Sequence, residues 1–201
     1  MRAYAIVAVL AVLAARPPGR VSAQVAVRVS VGARHATTLV HDSIVTPFDV
    51  RPALAPAIAI AFELPQHRGW APGVMLDGSW SELRRHDAGG AADLGSLTTF
   101  AFTVALRRSL AAGLSATARV GGLQYLPGRE TGVFQGGAGT PFPVAGLDLR
   151  YASPAVRRFA VELRYDMHRF ITSALKESGF TSGRPVHRLA FALTADISSL
   201  R

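Results

Sequence analysis

The chain has 201 residues, 22 Lys+Arg against 13 Asp+Glu for a formal charge of +9, and no cysteine. That length suits one domain, and the missing thiol excludes disulfides, thiolate catalysis, cysteine-ligated metals and a lipid anchor on cysteine. Every basic residue except Lys176 is an arginine, and the arginines recur singly along separated segments instead of forming the patch that a nucleic-acid surface needs, so no nucleic-acid partner is expected.

At the N-terminus, Arg2 precedes an apolar run from Ala3 to Ala15. A more polar stretch with Pro17, Pro18 and Arg20 follows and ends in Val21-Ser22-Ala23. This order of charge, apolar run and small residues predicts a secretory signal cleaved between Ala23 and Gln24. A membrane-spanning helix needs about 20 apolar residues; this run is shorter and is interrupted by Arg16. Residues 1–23 are therefore expected to be removed, leaving 24–201 as a single domain. Loss of Arg2, Arg16 and Arg20 lowers the formal charge from +9 to +6.

From Gln24 onward apolar residues recur with period two, the mark of strands whose faces meet different surroundings. Val25, Val27, Val29 and Val31 oppose Ala26, Arg28, Ser30, Gly32 and Arg34. Leu54, Ile58, Ile60, Phe62 and Leu64 oppose a run of alanines and Glu63, with Pro52 and Pro56 making its start irregular. Val74, Leu76 and Trp80 oppose Asp77, Ser79 and Ser81, and Phe100, Phe102, Val104 and Leu106 oppose Thr99, Thr103 and Arg107. A reversal is expected at Arg108-Ser109-Leu110-Ala111. Leu114, Ala116, Ala118 and Val120 then oppose Ser115, Thr117 and Arg119. The apolar phase slips at Gly121-Gly122, which predicts a β-bulge or a strand end.

Leu147, Leu149 and Tyr151 oppose Gly146, Asp148 and Arg150, with a turn at Ser153-Pro154. Phe159, Val161, Leu163, Tyr165 and Met167 oppose Ala160, Glu162, Arg164, Asp166 and His168; Leu189, Phe191, Leu193 and Ile197 oppose Ala190, Ala192, Thr194 and Asp196. Eight such runs reject an all-helical fold. Longer connections at about 36–51, 86–96, 127–141 and 170–186 alternate with short ones, placing both termini at the short-turn side as in a bacterial transmembrane barrel.

The residues opposite the aliphatic face are mostly Ala, Gly, Ser and Thr with scattered charges, whereas a water-facing surface carries charges more often. Small residues suit the interior of a narrow barrel. An all-β, eight-stranded antiparallel transmembrane β-barrel with a polar lumen is expected, and a soluble lipocalin-like barrel is the alternative. Arg28, Glu63, Asp77, Arg107, Arg119, Asp148, Arg150, Glu162, Arg164, Asp166, Arg188 and Asp196 share the inner phase, where opposite charges can neutralise one another. Trp80, Phe100, Tyr125, Tyr151, Phe159 and Tyr165 are expected outward, as an aromatic girdle.

The signal, the eight alternating runs and the unequal connections resemble small bacterial outer-membrane β-barrels, porin-like or OmpA-like. The resemblance implies a location in the bacterial outer membrane, contact with its lipids, and handling by periplasmic chaperones and the barrel-assembly machinery. Leu189 to Ile197 is similar to the closing strand that this machinery reads, although the chain ends Ser198-Ser199-Leu200-Arg201 and not in the aromatic residue typical of the family.

Chemistry is sparse. His168, Ser173 and Glu177 are the candidate serine–histidine–acid relay, although polar residues collect at rims and loops without catalysis. His35 with His41, or His168 with His187, lacks strong metal-ligand spacing; His67 and His86 lie near connections. Gly136-Gly137-Ala138-Gly139 lacks the Lys-Ser/Thr of a phosphate loop, and no dinucleotide fingerprint is present, so neither cofactor nor metal is expected. The leading expectation is a structural or interaction barrel whose external loops contact an envelope component or extracellular ligand. A narrow small-solute channel, a lipid-modifying enzyme and the soluble carrier are alternatives. Side chains can largely fill an eight-stranded barrel, so the architecture alone does not make a pore.

Overall fold

The computed structural model describes residues 25–42, 47–134, 139–155 and 158–197; the expected signal segment 1–23, Gly136 to Ala138 and the final Ser198 to Arg201 lie outside the described residues. Strand β1 (Ala26–Ala36) pairs with β4 (Ala55–Glu63). Antiparallel pairing then runs through β5 (Trp70–Asp87), β6 (Gly90–Ala111), β7 (Leu114–Pro127), β8 (Phe142–Tyr151) and β9 (Phe159–Phe170) to β10 (Arg184–Asp196), which returns to β1. These eight strands close a ring. Within it every strand has two partners, the condition under which strands cross a hydrocarbon layer.

Ala26 and Asp196 lie at the same end of the ring, here the terminal rim, where the connections are short. One is a tight turn at Ala112-Gly113, in which Gly113 takes φ 77°, a backbone region that favours glycine. The distal rim carries larger structures. Strands β2 (Val40–Asp42) and β3 (Phe48–Pro52) pair with each other, and β3 pairs with the distal end of β5, raising the wall on that side. A short helix, α1 (Ser173–Glu177), begins at Thr172, whose Oγ1 accepts from Leu175 N at 3.2 Å and donates to the Val133 carbonyl at 2.7 Å. Two distal connections are thereby tied together.

Burial alternates residue by residue in the ring. On β9, Phe159, Val161, Leu163, Tyr165 and Met167 are exposed, and Ala160, Glu162, Arg164, Asp166 and His168 are buried. A water-soluble barrel would turn its aliphatic residues inward; here they face out on every side, so the soluble lipocalin-like alternative is overturned. Strand β4 presents Ala55, Ala57, Ala59 and Ala61 to the lumen. These methyl groups leave the interior volume to long side chains from the other strands.

Five expectations are corrected. Segment 86–96 is not a loop, because β5 and β6 stay paired out to Asp87 opposite Gly90, with a register shift between Leu83 and Arg84. Segment 36–51 likewise contains β2 and β3. Above the apolar belt both faces of a strand meet polar surroundings, so pairing persists where apolar alternation fades. The reversal expected at 108–111 comes at Ala112-Gly113, with a register shift between Ser109 and Ala111.

No bulge interrupts Gly121-Gly122: Thr103, Phe102 and Ala101 pair successively with Gly121, Gly122 and Leu123. The lumen changes there instead. Leu123 and Tyr125 keep the inward phase and enter an apolar distal layer, so Tyr125, 2% exposed, belongs to the interior and not to the outer girdle. Trp80, Phe100, Tyr151, Phe159 and Tyr165 do face outward.

Leu147, 61% exposed on β8, lies between outward-facing Ala118 and Tyr165 in the belt. Leu147→Arg is expected to lower stability in lipid vesicles by about 2–4 kcal/mol, the cost of a cation near the bilayer midplane. Denaturant unfolding followed by the folded-to-unfolded gel shift measures it; an unchanged midpoint contradicts the outward assignment.

Candidate functional site

The described lumen divides into two layers. Toward the terminal rim and through the middle it holds seven arginines, Arg28, Arg34, Arg107, Arg119, Arg150, Arg164 and Arg188, with six carboxylates, Glu63, Asp77, Asp148, Glu162, Asp166 and Asp196. The even alternation of the strands places all of them inside. Opposite charge then decides which meet.

Asp77 on β5 is the hub. Arg34 from β1 grips both of its oxygens at 2.5 Å, Arg164 from β9 reaches it at 3.1 Å, and Arg188 from β10 lies 3.6 Å away. Arg164 also bonds Glu162 at 3.2 Å, and Glu162 accepts from Ser30 at 3.1 Å and Thr194 at 2.8 Å. Arg119 forks onto Asp148 with two 2.7 Å bonds and meets Asp166 at 2.7 Å. Nearer the terminal rim, Glu63 joins Arg28 and, at 2.9 Å, Arg107; Arg150 bonds Asp196 at 2.7 Å.

Gly146 makes room for one of these contacts. A Cβ there would sit 2.5 Å from Asp166 Oδ1 and 3.0 Å from Arg119 Nη2. The bare backbone lets the carboxylate and guanidinium meet against the wall. Arg34, grouped by sequence with the inner face of β1 but not with the charge network, is the residue that clamps the hub; its Asp77 partner lies 43 positions away.

The distal layer is apolar. Leu39, Val50, Leu83, Leu97, Leu123, Val144 and Val186 pack with Tyr125, Phe134 and Phe170. Tyr125 meets Phe170 edge-on at 5.2 Å between ring centroids, and Phe142 stacks on Phe170 at 5.3 Å. This layer draws on β2, β3 and the 127–141 and 170–186 connections, so the distal segments cover the charged layer. Leu175 of α1 is one of its buried members.

The candidate catalytic residues are not assembled. His168 is 3% exposed, points into the lumen and shares a 2.8 Å hydrogen bond between its Nε2 and the Tyr125 hydroxyl, whereas Ser173 and Glu177 lie exposed on α1. No hydrogen bond joins these three among the described residues. His187 faces outward against Tyr165, with 2.7 Å between Nδ1 and the hydroxyl, and therefore lies across the wall from His168. His41 bonds Asp49 at 2.7 Å, while His35 faces outward on β1.

Ring closure by eight antiparallel strands, an apolar outer face and a charged interior define the class: a transmembrane β-barrel of the small bacterial outer-membrane type. Among solved structures, the chain is similar in fold to Ail, the attachment invasion locus protein of Yersinia pestis, in complex with the heparin analogue sucrose octasulfate; identity is 10%, coverage is 87% of this chain and 99% of that one, and the TM-score is 0.50. Neisserial surface protein A (NspA) gives 7% identity, coverage of 86% and 97%, and a TM-score of 0.48. OprG of Pseudomonas aeruginosa gives 7%, 87% and 94%, and 0.44. No family model matches the sequence, and no curated protein matches it.

Asp77→Asn removes the charge shared by Arg34, Arg164 and Arg188 while keeping the side chain's size. Stranding buried cations is expected to cost about 3–5 kcal/mol, read as a lower denaturant midpoint of the refolded protein. A midpoint within error of wild type would show that the hub does not hold the wall.

Proposed function

We propose that this protein is an outer-membrane interaction barrel: its wall anchors it in lipid, and its distal segments present a binding surface to an envelope component or an extracellular ligand. The observation that carries this reading is the filled lumen. Guanidinium–carboxylate pairs occupy the charged layer, and an aromatic and aliphatic layer lies above it. A solute crossing the ring would have to part both, which argues against the small-solute channel. Function on this reading belongs to the rim. The distal rim is also where the fold departs most from a plain barrel, with the β2–β3 hairpin, the extended β5–β6 hairpin and α1.

Purified protein inserted into planar lipid bilayers is expected to give no reproducible ion conductance. Regular unitary current steps from wild-type protein would overturn the closed-lumen reading and restore the channel.

A further inference from the structure

The distal rim holds a cleft of about 310 Å³ between β2 and the segment that carries α1. Its apolar surface comes from Leu39, Val40, Phe170, Ile171, Leu175 and Phe180, and Arg184 and Ser182 stand at its polar side. We propose that this cleft binds a small organic anion with an apolar body, an aryl or short alkyl carboxylate, whose charged group is held by Arg184. The proposal rests on the interaction reading above and names the ligand class for it.

The volume lies at the lower end of the roughly 300–1,000 Å³ typical of small-molecule sites, which suits one ring or a short chain. The walls are held in place before any ligand arrives. Leu39 N donates to the Val50 carbonyl at 2.8 Å, Thr37 N donates to the His187 carbonyl at 2.9 Å, and Thr172 ties the α1 segment to Val133. Preformed walls reduce the ordering cost of binding.

Charge sets the sign of the ligand. Every arginine of the lumen meets a carboxylate, but Arg184 is exposed and makes no ion pair or side-chain hydrogen bond among the described residues. His41, the other basic group of the cleft, is already held by Asp49. Arg184 therefore offers a guanidinium beside apolar surface, where a carboxylate gains a charge-assisted contact and its hydrocarbon part leaves water. A cation would be repelled by the Arg184 guanidinium, and a neutral isostere would lose the ionic contact.

The test is a fluorine NMR titration of the folded mature chain in lipid nanodiscs, with empty nanodiscs as the partition control. Three probes share one body and differ in charge: para-(trifluoromethyl)benzoate, its amide and para-(trifluoromethyl)benzylammonium. Benzoate is expected to bind saturably, the amide about tenfold more weakly, and the ammonium without saturation. Arg184→Gln should weaken benzoate by about tenfold. Ser182→Trp, at an exposed position of the mouth, should abolish binding while the gel shift reports a folded barrel. Absence of saturable benzoate binding, equal binding of all three probes, or benzoate affinity unchanged by Arg184→Gln would each overturn the proposal. Any of these results with a non-conducting barrel leaves the interaction reading standing; unitary currents would overturn that reading instead.

Discussion

Among the described residues, seven guanidinium groups share the inside of a ring only eight strands around, and much of the architecture follows from having to satisfy them. Outside is hydrocarbon, and inside an arginine is held by carboxylates or hydroxyls, most of them on other strands. Arg34, Arg164 and Arg188 come from three different strands and converge on Asp77 of a fourth. Those contacts act as cross-braces, joining walls that backbone pairing connects only around the circumference.

This constraint explains residues that carry no charge. The inward alanines of β4 and the bare backbone of Gly146 provide the volume into which long arginines extend from the other strands. Glu162 keeps its place with help from Ser30 and Thr194, hydroxyls that a purely apolar core would not contain. Above this layer the same inward phase carries Leu123, Tyr125 and Phe170, which belong to the buried apolar cluster of the distal layer. Charge below and apolar packing above together make the barrel a support for its rim.

At that rim, structure no longer depends on the alternation that builds the wall. The β2–β3 hairpin and α1 are placed by contacts between segments far apart in sequence, such as Thr172 with Val133 and Thr37 with His187. Arg184 shows the difference clearly. It continues the inward phase of β10, yet it lies past the lumen network and remains open to solvent. The same residue type at the same phase is a brace in Arg188 and a solvent-exposed group lining the distal cleft in Arg184, according to its height along the strand.

The alternation of Phe159 to His168 by itself determined which side chains face lipid and which face the lumen, because a strand has only two faces and one was too apolar for water. Phase put these charges inside without choosing their partners, since it carries no information about height or about the strand opposite. Only the closed ring decided that Arg34 meets Asp77, that His168 bonds Tyr125 and stays apart from Ser173, and that Gly121-Gly122 marks a change of layer with the register intact. Those outcomes depend on side chains brought together across the lumen from distant positions, where distance and charge in three dimensions choose the partners.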